Sequence, residues 1–365
     1  MASTPGTMTF AGSEYHIKGT NLESAQEMNR SLVIHLLRQV KVCSRAELSK
    51  STGLKQATIT NIINDLINAD LVRVTGSIIG AKGRRSIGIS LNLEVYKVVG
   101  IRLSRKYISI GLFDIDGNKY SSEIVPTDMK LGSDVVLERI KEEVAKLIEN
   151  INRSNILGIG IAIPGPFIKN KGNITLMAEF PGWENISIQD ELESEFGLPT
   201  YLEHNANLGA LAEWWLGGHT KQMGTMVYVT AGLGIGAGVI VDGKIFKGAL
   251  GIAGEIGHMS ISFDGPKCEC GNSGCLEKYC SSIELVRDVK EELKNYPNSI
   301  LQQDASLAGI LEGLKANDEL AKKAIKKSSW FLGFGLASIL VVENVMKKPS
   351  LIVEANKPIY QKVII

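Results

Sequence analysis

Apolar residues recur at helical spacing through the first quarter of the chain and at strand spacing after it. Residues 23–40 carry Leu32, Val33, Leu36 and Leu37 on one face, which predicts a first helix. A second opens at Ser44. In Ser44-Arg45-Ala46-Glu47 the serine hydroxyl can take an orphan amide while the glutamate reaches back to the cap amide, a capping box. Leu48 anchors this helix, and Gly53 ends it because glycine tolerates the left-handed conformation of a tight turn. A third helix is predicted over 56–68, with Ile59, Ile62, Ile63 and Leu66 on one stripe. Its other stripe holds Lys55, Gln56, Thr60, Asn61 and Asn64, short donors and acceptors rather than the Glu/Lys pairs of a solvated helix. Strand patterns follow at 71–74 and 87–91, around the Gly-rich basic loop 80–85.

From Val98 the period changes. Residues 98–103 and 107–113 read as strands, Asp116-Gly117 as a turn, 135–150 as an amphipathic helix, and 156–163 as a buried strand running into Pro164-Gly165-Pro166. Strands recur at 226–230 and 236–241 around a glycine-rich turn, and 329–345 reads as an apolar helix able to lie in the core between two lobes. No internal repeat is evident. The expected organisation is an unstructured tail (1–20), a head of three helices and a strand pair (21–92) and an α/β body (93–365) in two parts, about 93–204 and 205–345.

Composition changes the picture in three places. The formal net charge of +1 hides an asymmetry: residues 21–92 hold ten Lys/Arg against five Asp/Glu, whereas residues 93–365 hold 29 against 33. A basic head on a mildly acidic body suits a head that meets a polyanion. No apolar run reaches the roughly 18 residues of a membrane span, and the first twenty residues lack the order of a signal peptide, so a cytoplasmic location is expected. Of five cysteines, Cys268, Cys270 and Cys275 cluster ten residues after His258, and this points to metal rather than disulfides. Three thiolates and one imidazole would make a closed, structural zinc site. The bland alternative is three reduced core cysteines, and a C-x-C-x4-C run rich in glycine and charge is poor core sequence. Cys43 and Cys280 read as ordinary buried thiols.

On the third helix, Gln56, Thr58, Thr60 and Asn61 are the candidate base readers, since Gln and Asn can bond adenine edges. Lys55, Lys82, Arg84 and Arg85 are the candidates for phosphate or the minor groove. The alternative is a helical protein–protein module with a basic hairpin.

The blocks Asn29-Arg30-Ser31, Ser44 to Leu48, Thr52-Gly53-Leu54, Ala57-Thr58-Ile59-Thr60 and Gly83-Arg84-Arg85 closely resemble the winged helix-turn-helix of the repressor branch of the ROK family (repressors, open reading frames, kinases), nearest to its xylose repressors. The body resembles the same family's actin-like, sugar-kinase fold through four motifs. Glu203-His204-Asn205-Ala206-Asn207 stands where ROK kinases carry an Asn-Asp pair whose aspartate is the general base. Here the position holds Asn205, and an amide has no lone pair basic enough to take that proton. Glu255-Ile256-Gly257-His258 resembles the family's sugar-and-metal motif. Cys268-Glu269-Cys270-Gly271-Asn272-Ser273-Gly274-Cys275-Leu276-Glu277 resembles its zinc loop, with Glu277 beside the sugar. The early phosphate turn Asp-x-Gly-Gly-Thr is replaced by Arg102-Leu103-Ser104-Arg105-Lys106. The late glycine pair is missing, and the chain stops early for the family, which puts its final helix in doubt.

The resemblance implies sugar binding through His204, Asn205, Glu255, His258 and Glu277, with His258, Cys268, Cys270 and Cys275 on structural zinc. It also implies a homodimer on an inverted-repeat operator, no membrane partner and no catalytic residue. The effector would be xylose, with glucose next. Phe180-Pro181-Gly182-Trp183 resembles a loop near the sugar, where stacking on the sugar and plain packing are both open. An active sugar kinase would explain the body alone. A ligand-independent DNA-binding regulator would leave Glu255 and Glu277 without a purpose.

Overall fold

The computed structural model describes residues 7–10, 13–16, 22–79, 85–104, 107–128, 131–165, 169–170, 173–174, 182–183, 186–217, 224–343, 349–355 and 363–364. They divide into two compact units, Met1–Tyr96 and Lys97–Ile365, so the division falls four residues beyond the boundary read from the sequence.

In the first unit, β1 (Thr7–Phe10) and β2 (Ser13–His16) pair antiparallel. Both strands fall within the first twenty residues, most of which lie outside the described residues. Three helices follow, α1 (Leu22–Val40), α2 (Arg45–Thr52) and α3 (Gln56–Asn68), then β3 (Val72–Ile79) and β4 (Arg85–Leu91). The Ser44/Glu47 capping box is formed in both directions, and Gly53 closes α2 at φ 72°. Ile59, Ile62, Ile63 and Leu66 are buried with Leu37, Leu48 and Ile89, so α3 turns its apolar stripe inward. β3 and β4 form an antiparallel pair with a bulge between Val74 and Gly76. Two ties fix α3 from outside its core: Arg30 bonds Asp65, and Arg45 bonds Asn64.

The second unit opens with β5 (Lys97–Leu103), β6 (Tyr107–Asp114) and β7 (Lys119–Pro126), a meander. It continues through α4 (Ser133–Ile148), β8 (Ile156–Ile163), the short pair β9 (Lys169–Asn170) and β10 (Asn173–Ile174), α5 (Ile188–Phe196) and β11 (Thr200–His204). β8 runs parallel to β5 and β11 parallel to β8, which gives the order β11-β8-β5-β6-β7. Val136 and Ile140 of α4 and Ile188 and Leu192 of α5 pack with Ile110, Ile159 and Ile161 of the sheet. Trp183 is wholly buried in this same core. Of the two readings left open for the Phe180–Trp183 loop, packing therefore holds for the indole, while Phe180 lies outside the described residues.

α6 (Asn205–Leu216) leads to the second sheet, formed by β12 (Thr225–Ala231), β13 (Ile235–Val241), β14 (Lys244–Ile245), β15 (Pro349–Ala355) and β16 (Val363–Ile364) in the order β14-β13-β12-β15-β16. Here an antiparallel meander, β12-β13-β14, gains a parallel strand, β15, on its other side. The first lobe has the same plan, with β8 beside β5-β6-β7. The body is thus built on a repeat that no sequence periodicity announces, because strand order, not residue identity, is what is shared. The second lobe also reaches past the expected limit of 345 to take in β15.

α7 (Glu277–Cys280), α8 (Ser282–Glu292), α9 (Leu307–Lys315) and α10 (Glu319–Glu343) complete this lobe. α6 packs Ala210 and Trp214 on Met226, Tyr228 and Ile240. It approaches β13 so closely that a Cβ at Gly238 would lie 2.2 Å from the Ala206 carbonyl oxygen, so only glycine fits there. α10 begins ten residues before the expected helix and presents Ile339 and Leu336 to Val227 and Val229. It is not sealed in an inter-lobe core: Trp330 is 65% exposed, stacked on Phe334. Among the described residues no helix is long and apolar enough to cross a membrane.

Candidate sugar and metal sites in the body

Strand β11 delivers Glu203 and His204, and α6 starts at the next residue, Asn205. Strand β8, its parallel neighbour, ends two residues before Gly165. In open α/β sheets the carboxyl ends of parallel strands are where ligands bind. Three side chains, His204, Glu255 and Glu277, converge there. A Cβ at Gly165 would lie 2.6 Å from His204 Nε2 and 2.9 Å from Glu255 Oε1, so both side chains border the space that glycine leaves. The His204 ring also lies under Gly236, 3.6 Å from where its Cβ would stand. Glu277 Oε2 stands 3.3 Å from the corresponding point at Gly234, in the glycine-rich turn between β12 and β13.

The electrostatics favour neutral forms. Burial lowers the pKa of His204 to about 4, against a smaller opposing pull from Glu203. Its imidazole is therefore uncharged at neutral pH, one nitrogen a donor and the other an acceptor. Burial and the nearby charge of Glu277 push Glu255 up to about 7. Asn205 Oδ1 is buried and has no hydrogen-bond partner among the described residues. A buried carbonyl without a donor costs roughly 1–3 kcal/mol, and a ligand hydroxyl would relieve that cost. The group is an acceptor but not a base.

The metal candidates lie together. The ligand atoms of His258, Cys268, Cys270 and Cys275 are all within 4.8 Å of one another. His258 Nδ1 is 3.5 Å from Cys268 Sγ, and Cys270 Sγ is 3.6 Å from Cys275 Sγ. Zinc–sulfur bonds of ~2.3 Å at tetrahedral angles put ligand atoms about 3.7 Å apart, so these spacings fit one tetrahedral ion. Burial and the neighbouring thiols hold the Cys275 thiol far above its usual range, which a cation would reverse. The loop can wrap this tightly because Gly274, at φ 68°, lies where a Cβ would collide with the Ser262 carbonyl.

Glu277 joins the two centres. Its Oε1 is 3.5 Å from His258 Nδ1 and 3.7 Å from Cys268 Sγ, while Oε2 faces the glycine turn. His258 turns Nδ1 toward the thiols, leaving only Nε2 for another partner. Cys43 and Cys280 are buried free thiols away from this cluster.

In the first unit Lys55, Gln56 and Asn61 are exposed on α3, and Thr58 and Thr60 are half-buried. The Thr60 hydroxyl donates to the Gln56 carbonyl, which leaves its lone pairs free to accept. Arg85 opens β4 and is exposed. Lys82 and Arg84 lie outside the described residues. Arg102, where the family's kinases begin a phosphate turn, is exposed on β5, and Ser104 N–H bonds the Tyr107 carbonyl.

Sequence reasoning missed three participants. Gly165 and Gly234 border the site through the side chains they lack. Glu203 accepts from the His204 amide and from Asn207 Nδ2, and forms an ion pair with Lys247. A glutamate at the last turn of a buried strand was the available signal for it.

Comparison with known proteins gives a consistent answer. The ROK family model matches residues 98–353. The xylose repressor of Caldicellulosiruptor bescii is 32% identical over 343 residues, covering 91% of this chain and 84% of that one. A crystal structure of a ROK family transcriptional regulator, a homologue of the E. coli MLC protein, superimposes with a TM-score of 0.74 at 27% identity, covering 87% of this chain and 81% of that one. A ROK family glucokinase from Streptomyces griseus, solved with glucose and AMPPNP, superimposes with a TM-score of 0.62 at 25% identity, over 71% of this chain and 83% of the kinase. The body has the actin-like sugar-kinase fold, and the chain belongs to the ROK family.

Proposed function

We propose that the chain is a sugar-responsive transcriptional repressor of carbohydrate-utilisation genes, acting in the cytoplasm. The first unit is its winged helix-turn-helix, with α2 and α3 the helix-turn-helix and the β3–β4 pair the wing. Gln56, Thr58, Thr60 and Asn61 read bases, while Lys55, Lys82, Arg84 and Arg85 hold phosphate or the minor groove. Two copies on an inverted repeat would match the two-fold symmetry of such an operator. Repressor names among the relatives support this reading.

The body senses the sugar. The single observation that carries this is the buried, unpartnered Oδ1 of Asn205, the residue after His204, whose ring borders the Gly165 space together with Glu255. Asn205 and Glu255 accept from sugar hydroxyls, neutral His204 can donate or accept, and Glu277 closes the side toward Gly234. Xylose is the first candidate and glucose the second. His258, Cys268, Cys270 and Cys275 hold one structural zinc, which would supply a fixed cross-link rather than a reactive centre. Phosphoryl transfer needs a base and a positioned phosphate donor. Asn205 is not a base, and Arg102-Leu103-Ser104 is not a phosphate turn, so no kinase activity is expected.

The likeness to the glucokinase favours the second reading, an active kinase. A thermal-shift panel separates the two: D-xylose, D-glucose, D-mannose, D-fructose, L-arabinose and N-acetylglucosamine, each with and without MgATP. We expect one sugar to raise the melting temperature by a few degrees, as about 100 Kd of ligand adds ~2.7 kcal/mol. MgATP should add nothing, and no ADP should form. Turnover of ATP dependent on sugar would establish the kinase instead.

A further inference from the structure

The segment of residues 247–254 leads from β14 into Glu255 and is folded back on itself. Ala253 N–H bonds the Lys247 carbonyl, and the Gly254 carbonyl accepts from Ala237 N–H on β13. Its backbone is therefore tied to the second sheet. Its first side chain points elsewhere. Lys247 forms an ion pair with Glu203, the residue of β11 immediately before His204 and Asn205. Glu203 is 15% exposed and wholly committed: Oε1 accepts from the His204 amide and from Asn207 Nδ2, both at 3.0 Å, and Oε2 takes Lys247. Burial works against the charge of Glu203, but these partners outweigh it and hold the carboxyl below its ordinary range. One charge pair thus joins the strand that leads into Asn205, from the first sheet, to the segment that leads into Glu255, from the second.

We propose that Lys247 is a positioning residue of the sugar site: through Glu203 it sets the distance between the Asn205 and Glu255 edges and so governs affinity for a ligand that carries no charge. The proposal rests on the sugar reading of that site. Its signature is unusual. A neutral sugar binding through hydroxyl hydrogen bonds has little reason to respond to salt. The Lys247 side chain, however, is 52% exposed, and the range of such a charge shrinks from about 10 Å at 0.1 M salt to about 3 Å at 1 M. Salt should loosen the clamp and weaken binding of a sugar that itself is not screened. Because Glu203 also orders the first turn of α6 through Asn207, losing the lysine leaves Glu203 in place but frees the segment before Glu255.

The test is calorimetric titration of the full chain with the panel sugar that stabilises it most, D-xylose first, at about 0.05 M and 1 M potassium chloride. Wild type should lose affinity roughly three-fold over that range, in line with a partly exposed pair. Lys247→Met should bind about three- to ten-fold more weakly at low salt and show no further salt dependence. Lys247→Arg should restore most of the affinity. Glu203→Gln should resemble Lys247→Met, and the double variant should be no weaker than either single one, as expected for two groups acting through one contact. Zinc content and melting temperature confirm that each variant is folded, which the exposure of Lys247 favours. Wild-type affinity in Lys247→Met, or weak binding that keeps the wild-type salt dependence, would overturn the proposal while leaving the sugar reading intact. Absence of binding by every panel sugar to wild type would overturn both.

Discussion

Replacing Cys268 and Cys275 together by serine should strip the protein of zinc and lower the melting temperature of the body on the order of 10 °C. The wild type should carry about one zinc per chain. The reasoning starts from spacing: four ligand atoms within 4.8 Å, with pair distances of 3.5 and 3.6 Å, leave room for one tetrahedral ion and little else. Without the ion, the segment of residues 268–275 loses the cross-link that would hold it against His258. The consequence should reach the sugar, because Glu277 Oε1 lies 3.5 Å from His258 Nδ1 while its Oε2 faces Gly234. Sugar affinity should fall at least ten-fold in the double variant, an effect equivalent to about 1.4 kcal/mol. Metal analysis alongside differential scanning calorimetry measures both effects, and full zinc occupancy in the double variant would reject these ligands.

The second large effect belongs to DNA. Gln56→Ala with Asn61→Ala should reduce binding to the specific operator about 10²- to 10³-fold, since a bidentate amide–adenine contact discriminates by ~1–3 kcal/mol. Binding to unrelated DNA should barely change. Arg84→Ala with Arg85→Ala should act the other way, weakening all sequences and reducing the slope of log affinity against log salt by about two. α3 is well suited to such surgery: its stability comes from Ile59, Ile63 and Leu66 on the buried face and from the Arg30 and Arg45 ties, none of which these changes touch. Fluorescence anisotropy across salt concentrations separates the two classes. Specific binding that survives removal of Gln56 and Asn61 would move base reading to another element.

Much of this was legible in the residues because it was local. The Ser44/Glu47 box, the Gly53 stop and the stripe of α3 each depend on neighbours within a few positions, and each forms as the pattern requires. The C-x-C-x4-C run likewise carries its own geometry. What escaped notice is set by distant parts of the chain. The matching plans of the two sheets depend on β15 returning beside β12 from more than a hundred residues away. Gly165 acts by the volume it does not fill, and composition cannot say whose side chain will use that volume. Trp183, the last residue of a segment resembling a sugar-side loop, is drawn into the first core because a wholly buried indole gains more from packing than from an exposed face.

Under the proposed function, sugar and operator compete through two states of one molecule. Sugar can release DNA only by its difference in affinity between those states, and the coupling must be reciprocal. The most direct measurement is therefore a titration of the stabilising sugar into the full chain, alone and with saturating operator. The account predicts that operator weakens sugar binding by the same factor by which sugar weakens operator binding, about five-fold or more for a coupling of ~1 kcal/mol. Equal sugar affinity with and without operator, for every sugar that binds, would contradict it.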